Sequence, residues 1–236
     1  ARTPTMHTPT AAKRLVSLAS MTVLPCSPLE QISAAHAAGF DAVGLRLNPT
    51  LPTDIDVMAD LALQLAIEKS LARHRMKVFD VEVVRIGPHT DLRSLSSTLA
   101  YASSLGAQCI LATSLPMAQW HAQDEARTVA VLEQVCEVAS KYGVRPMIEY
   151  MAFRGIANLH DALRAARLAN HPNVGICVDA LHHARAGGTA RDFERVDSEL
   201  LSCVQLCDAP ASAPPDIAFE ARYERLDPGE GELALV

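Results

Sequence analysis

Aromatic side chains are scarce in this sequence: they make up 4% of 236 residues, with a single Trp. Ala, Leu and Val carry the apolar weight instead, which is the usual material of helices packed on buried parallel strands. No apolar run approaches the roughly 20 residues needed to span a bilayer, so no membrane partner is expected. Residues 1–13 are rich in Thr and Pro and hold no apolar stretch of the kind a secretory leader carries, so they read as a flexible lead-in. Basic residues are outnumbered, with 21 Lys and Arg against 27 Asp and Glu and a formal net charge of −6. Such a surface repels phosphate backbones, and no nucleic-acid partner is expected. The six cysteines are scattered, most of them inside apolar runs, with neither a disulfide framework nor a zinc-knuckle spacing. Buried reduced thiols fit a cytoplasmic location.

What is present is an apolar fraction of 49%, enough to bury a substantial core. Short β-rich runs alternate along the chain with amphipathic segments. Strands are expected at residues 15–23, 41–47, 77–86, 108–113, 145–150, 174–178 and 203–207. Helices are expected between them, the first starting at Ser27-Pro28 with Ser at the N-cap and Pro at the first helical position. On that first helix Leu29, Ile32, Ala35 and His36 share a face. The later helices are expected at 59–75, 92–105, 125–142, 159–169 and 192–201, several closed by Gly or by His171-Pro172. The seventh strand is expected to lead into a loop, residues 209–215, with no helix after it.

Repeated alternation without a hairpin signal argues for a parallel sheet. Neither G-x-G-x-x-G nor G-x-x-x-x-G-K-[ST] occurs, which removes the main positive sign of a nucleotide-binding open sheet. The expected class is therefore α/β, a parallel (β/α)8 barrel formed as one domain by residues 14–236. A complete barrel takes about 250 residues, and only seven strands can be counted. The eighth is expected to be missing from this sequence.

In a parallel barrel, chemistry gathers at the C-terminal ends of the strands. Those ends offer Glu149 on the fifth strand, Asp179 with His182 three residues on for the sixth, and Gln205 followed by Asp208 on the seventh. Oxygen-rich ligands with at most one imidazole suit Mn2+, Mg2+ or Co2+, with Zn2+ also admitted. Each residue has a plainer reading. Glu149 could pair with an Arg of the barrel, Asp179 could cap the next turn, Gln205 could make a structural hydrogen bond, and His182 and His183 could be satisfied core histidines. The two carboxylates, amide and imidazole at successive strand ends favour Glu149, Asp179 and Gln205 as ligands. They favour His182 as a substrate-facing group able to donate or shuttle a proton. Arg46 closes the second strand, and Glu82 lies on the third. Arg46 either meets a substrate carboxylate or phosphate through its fork or pairs with Glu82. Trp120 and His121 could wall the pocket or merely pack.

Glu149 in "IEYMAF", Asp179 and His182 in "GICVDALHHARAG", Gln205 and Asp208 in "VQLCDAP" and Arg225 in "RLDPGEGEL" together resemble the xylose isomerase-like TIM barrels, the sugar phosphate isomerase/epimerase superfamily. Gln at the seventh-strand position followed by Asp-Ala-Pro is most similar to hydroxypyruvate isomerase-like members. The resemblance implies a divalent metal held by Glu149, Asp179, Gln205 and a further Glu on an eighth strand. It implies that Glu149 and that further Glu handle protons, and that His182 and Arg225 touch substrate oxygens; Arg46, Glu82 and Asp208 are the further candidates for substrate binding. A cation chelated by a carbonyl and the adjacent hydroxyl acidifies the intervening C–H and stabilises the enediolate. The expected function is thus isomerisation or epimerisation of a small hydroxy-carbonyl compound: a sugar, sugar acid or keto acid. A lyase or dehydratase on the same scaffold is the nearest alternative, and a non-catalytic binding barrel a further one. The resemblance also admits a homo-oligomer.

Overall fold

The computed structural model describes residues 14–50, 54–121 and 123–235, so the expected lead-in at residues 1–13 lies outside the described residues. Seven strands, Ser17–Leu18 (β1), Ala42–Arg46 (β2), Lys77–Ile86 (β3), Cys109–Ser114 (β4), Arg145–Glu149 (β5), Gly175–Asp179 (β6) and Leu201–Gln205 (β7), form one sheet. Every neighbouring pair is parallel, and the order in space is the order in sequence. Parallel strands added in sequence order, each joined to the next by a crossover, are how a (β/α) barrel grows. The sheet curls into a seven-stranded partial barrel whose edges, β1 and β7, are unpaired with each other among the described residues.

Both faces of the sheet are apolar, and period-2 alternation separates them. Val43, Leu45, Ile110, Ile148, Ile176 and Val178 face outward into the large core shared with the helices. Cys109, Leu111, Met147 and Cys177 face inward and form a separate cluster with Phe79, Val83 and Cys203. Polar residues at the C-terminal ends of the same inward rows therefore point into the barrel mouth.

The helices begin and end where local chemistry requires. Pro28–Ala38 (α1) starts on a capping box in which Ser27 and Glu30 satisfy each other's backbone N–H groups. It stops at Gly39, whose φ of 81° closes the helix in a conformation costly for any residue with a Cβ. Leu61–His74 (α2), Leu92–Ser104 (α3), Asp124–Ser140 (α4) and Leu159–Ala169 (α5) follow, with side-chain caps at Asp60, Asp91 and Asn158 for α2, α3 and α5. On α1 the buried face is Pro28, Gln31, Ile32 and Ala35. His36 is exposed. Gln31 is buried because its amide donates to the carbonyls of Leu18 and Gly44 at 3.3 and 2.7 Å, tying α1 to β1 and β2.

Four expectations are corrected. Only two residues of the first run pair as β1, and Ser20–Val23 forms a 3-10 turn. Residues 192–201 are not a helix: two 3-10 turns, Ala190–Phe193 and Ser198–Leu200, and the bend between them carry Phe193, Leu200 and Val196 against the core. The helix after β6 is Ala180–Arg185 (α6), begun at once by Asp179 as N-cap. The seventh strand spans Leu201–Gln205 rather than 203–207 and is followed, after the loop, by a helix at Ile217–Tyr223 (α7), where none was expected.

Candidate metal centre at the strand ends

The β5, β6 and β7 ends bring Glu149, Asp179 and Gln205 together. The end of the Gln205 side-chain amide lies 3.2 Å from both Glu149 Oε1 and Asp179 Oδ2. Turned over, the amide nitrogen would donate to both carboxylates instead. Three oxygens from three adjacent strands thus converge on one point, and a cation between them or an inward amide N–H would satisfy them. Glu149 and Asp179 are buried, at 5% and 1% exposure. Buried carboxylates this close repel, and a positive charge or a proton on one of them relieves the repulsion.

Part of that charge comes from Arg225. Its Nη1 donates to Asp179 Oδ2 at 2.7 Å and to Cys207 Sγ at 3.0 Å, and its Nε donates to the Ala221 carbonyl at 2.6 Å. Burial alone would raise the Asp179 pKa; His182, Arg225 and the backbone N–H of His182 outweigh it and hold the carboxyl below its usual range. Glu149 has no such direct partner. Burial first, then the negative charge of Asp179, pushes its carboxyl well above the usual range, against the opposing charges of Arg225 and Arg154.

His182 is buried on α6, its Nε2 4.0 Å from Glu149 Oε1. Its backbone N–H donates to Asp179 Oδ1 at 3.0 Å, so Asp179 caps the helix and faces the centre with its other oxygen. Burial lowers the imidazole pKa to about 4, leaving the ring neutral near pH 7. Arg225 Nη2 lies 3.3 Å from His182 Nε2. Because guanidinium can only donate, Nε2 accepts and the proton resides on Nδ1. Glu149, Asp179 and His182 also present one ligand atom each within 4.8 Å of one another, so the imidazole lies in reach of the same centre. His183 is a satisfied core histidine, with Tyr150 Oη at 2.9 Å from Nδ1 and the Thr189 carbonyl at 3.0 Å from Nε2. The carbonyl must accept, so Nε2 carries the proton and Tyr150 donates to Nδ1.

The remaining candidates divide. Arg46 lies opposite Glu82 in the β2–β3 register and pairs with it at 2.8 Å, and Asp54 lies 3.4 Å from its other nitrogen. The Arg46 Nε–H is buried without a partner, as is that of Arg222. Both residues line a cleft of about 360 Å3 with Ser20, Asp54, Ile55 and Tyr223. Asp208 is buried, and its carboxylate accepts backbone N–H groups of Ala209, Gly229 and Leu233 at 2.9, 3.0 and 3.0 Å. Those bonds hold its pKa below the usual range and fix the loop that follows Arg225. Trp120 packs against Gly155, where a Cβ would overlap its ring. Sequence reasoning missed Arg154, a part-buried guanidinium whose Nη1 donates to the Ser114 carbonyl at 2.9 Å and whose Nε–H has no partner. Its position five residues after Glu149, past the end of β5, is the signal that could have marked it.

Asp80, two residues before Glu82 on the inward row, was also missed. Gly44 leaves it room, since a Cβ there would stand 2.5 Å from Asp80 Oδ1. Burial, then the charge of Glu82, pushes its carboxyl up to about 8. A folded-state pKa above the unfolded one favours folding with the proton bound. That contribution is complete below pH 4 and is lost as pH rises towards 8. Asp80→Asn is therefore expected to flatten the loss of stability between pH 5 and pH 8, by about 3 kcal/mol. Urea unfolding at the two pH values measures it, and equal pH dependence in both proteins would contradict the assignment.

A curled parallel sheet with carboxylates, an amide and an imidazole at its strand ends presents a candidate metal centre at the barrel mouth. The chain belongs to the xylose isomerase-like TIM barrel family, whose model matches residues 32–236. It is 28% identical over 228 residues to a 3-dehydroshikimate dehydratase of Pseudomonas aeruginosa, covering 87% of this chain and 32% of that protein. It is 22% identical over 208 residues to an inosose isomerase of Bacillus licheniformis, covering 84% and 72%. The chain thus spans about a third of the length of the dehydratase. Among solved structures, IolI with a bound zinc atom superposes with a TM-score of 0.80 at 19% identity, covering 94% of this chain and 82% of that one. A xylose isomerase-like TIM barrel/4-hydroxyphenylpyruvate dioxygenase fusion protein gives 0.79 at 22% identity, covering 94% and 36%. No helix among the described residues is long and apolar enough to cross a membrane.

Proposed function

We propose that this chain is a divalent-metal-dependent isomerase or epimerase that moves a proton beside the carbonyl of a small hydroxy-carbonyl compound. The observation that carries this reading is the convergence of the Glu149 and Asp179 carboxylates with the His182 imidazole, one ligand atom of each within 4.8 Å of the others, beside the Gln205 amide. The donor set is oxygen-rich and buried, which suits Mn2+, Mg2+ or Co2+ and admits Zn2+. When bound, a divalent cation supplies Lewis acidity to a carbonyl oxygen and stabilises the negative charge that develops there.

The chain's own residues supply the rest. Glu149 is the base: its raised pKa makes the ionised carboxylate a stronger proton acceptor than an exposed one. His182, neutral with its proton on Nδ1, can accept a hydrogen bond from a substrate hydroxyl at Nε2 if Arg225 yields that position. Arg225 keeps Asp179 anionic and offers donors to a substrate oxygen. Arg46, which lines the cleft and pairs with Glu82, binds a carboxylate or hydroxyl, while Glu82 orients it. Asp208 acts through the loop it holds rather than by touching substrate.

A second reading, elimination of water, rests on the higher identity to the dehydratase than to the isomerase. Both reactions begin with the same proton abstraction, and they differ in whether a leaving hydroxyl is expelled. Incubation with Mn2+ in D2O, with an inosose and with 3-dehydroshikimate as probes, separates them. Deuterium incorporation next to the carbonyl with retention of all oxygens supports isomerisation, and loss of water supports the second reading. No exchange into either probe, with Mn2+ bound, would count against both.

A further inference from the structure

Two residues below each oxygen ligand lies a sulfur. Met147 precedes Glu149, Cys177 precedes Asp179 and Cys203 precedes Gln205, and residues two apart on a strand share a face. The three side chains meet inside the barrel. Cys203 Sγ lies 3.4 Å from Cys177 Sγ and 3.6 Å from Met147 Sδ, a single thiol hydrogen facing two other sulfurs. Met147 and Cys177 are fully buried, and Cys203 is partly exposed on β7, an edge of the sheet. We propose that Met147, Cys177 and Cys203 form a second cation site, selective for a soft monovalent d10 ion of the Cu(I) or Ag(I) class.

Ligand chemistry separates this site from the oxygen centre. Thiolate and thioether ligands select soft cations, whereas carboxylate and amide oxygens select hard ones. No carboxylate, imidazole or amide belongs to the sulfur trio, so Mn2+ or Mg2+ gains nothing there. Three sulfurs bonded to one cation at about 2.3 Å stand about 4.0 Å apart. The two separations from Cys203, 3.4 and 3.6 Å, therefore need to widen by about 0.5 Å. Binding breaks two S–H bonds, forms two thiolate–metal bonds and one thioether–metal bond, and releases two protons to solvent, with no change of oxidation state. The same strands carry both centres about 7 Å apart, so a soft cation in the lower site shifts the oxygens of the upper one. Soft cations are thereby inhibitors that do not compete for the oxygen ligands directly.

The full chain carrying Cys26→Ser, which removes the exposed thiol, is titrated with Ag+, and with Cu(I) against a competing chelator. One tight equivalent, release of two protons and a near-ultraviolet thiolate-to-metal band are expected. Cys203→Ala is expected to weaken binding by about 100-fold and the volume-conserving Met147→Leu by about tenfold, with far-ultraviolet circular dichroism unchanged. If Cys203→Ala does not fold, Met147→Leu carries the test. Unchanged affinity in whichever of these variants folds, or binding that disappears only when Cys207 is replaced, overturns the proposal. Mn2+ titration of the same proteins reads the oxygen centre separately, so failure of one site is not mistaken for failure of the other.

Discussion

Glu149→Gln is expected to lower kcat by about 10³-fold on whichever probe shows proton exchange, the usual contribution of a positioned general base. The substitution keeps size and one oxygen at the place where Glu149 Oε1 meets Gln205, so the centre keeps its shape. What it removes is the proton acceptor. Because the base must be ionised to act, wild-type activity is lost as pH falls through its pKa, and that limb is expected to vanish in the variant. Mn2+ affinity is expected to fall as well, since one anionic ligand becomes a neutral one. Turnover and Mn2+ titration therefore have to be measured on the same protein. Unaltered kcat at saturating Mn2+ would remove Glu149 from proton transfer and leave it a ligand at most.

The strand-end rule made this centre legible before any coordinates. Glu149, Asp179 and Gln205 were readable because each ends an apolar run, and a buried carboxylate at such a place needs a partner. Elements flanked by sharp breakers were legible to the residue. β3 lies between the left-handed Arg75 and the Gly87 turn, and α5 between Asn158 and the His171-Pro172 pair. The misreadings share a cause: apolar spacing reports burial only when the partner surface is known. Phe193, Val196 and Leu200 recur at helical spacing yet pack from two 3-10 turns and the bend that joins them. Val204 and Leu206 look like core residues, yet they are 58% and 61% exposed at the edge of the sheet. Register between parallel strands was also invisible, because no hairpin fixes it. The choice between a free Arg46 and an Arg46–Glu82 pair therefore waited on the observed alignment of β2 with β3. Arg154 and Asp80 were missed for a related reason, since their significance lies in partners that only the fold supplies.

The largest effect on stability is expected away from the ligands, at Arg185→Met. Arg185 on α6 and Glu220 on α7 form a bidentate pair, Nε to Oε2 at 2.8 Å and Nη2 to Oε1 at 2.6 Å, with side chains 5% and 2% exposed. Arg185 also donates to the Pro210 carbonyl at 2.8 Å, so one guanidinium joins α6, the loop after β7 and α7. Removing it leaves a buried carboxylate with no counter-charge, a loss of about 3–5 kcal/mol. Glu220→Met alone strands the guanidinium and costs a similar amount. Arg185→Met with Glu220→Met removes both charges and is expected to recover most of the loss, because well-packed apolar residues replace a buried ion pair at little net cost. Urea unfolding of the four proteins completes the double-mutant cycle, and additive losses would show that the pair is not coupled. The functional consequence follows from Arg225, two residues beyond α7, whose Nε is held by the Ala221 carbonyl on that helix. If α7 loosens in Arg185→Met, Arg225 loses its aim at Asp179, and Mn2+ affinity and turnover should change together. In the double variant α7 docks again through apolar contact, and both should return.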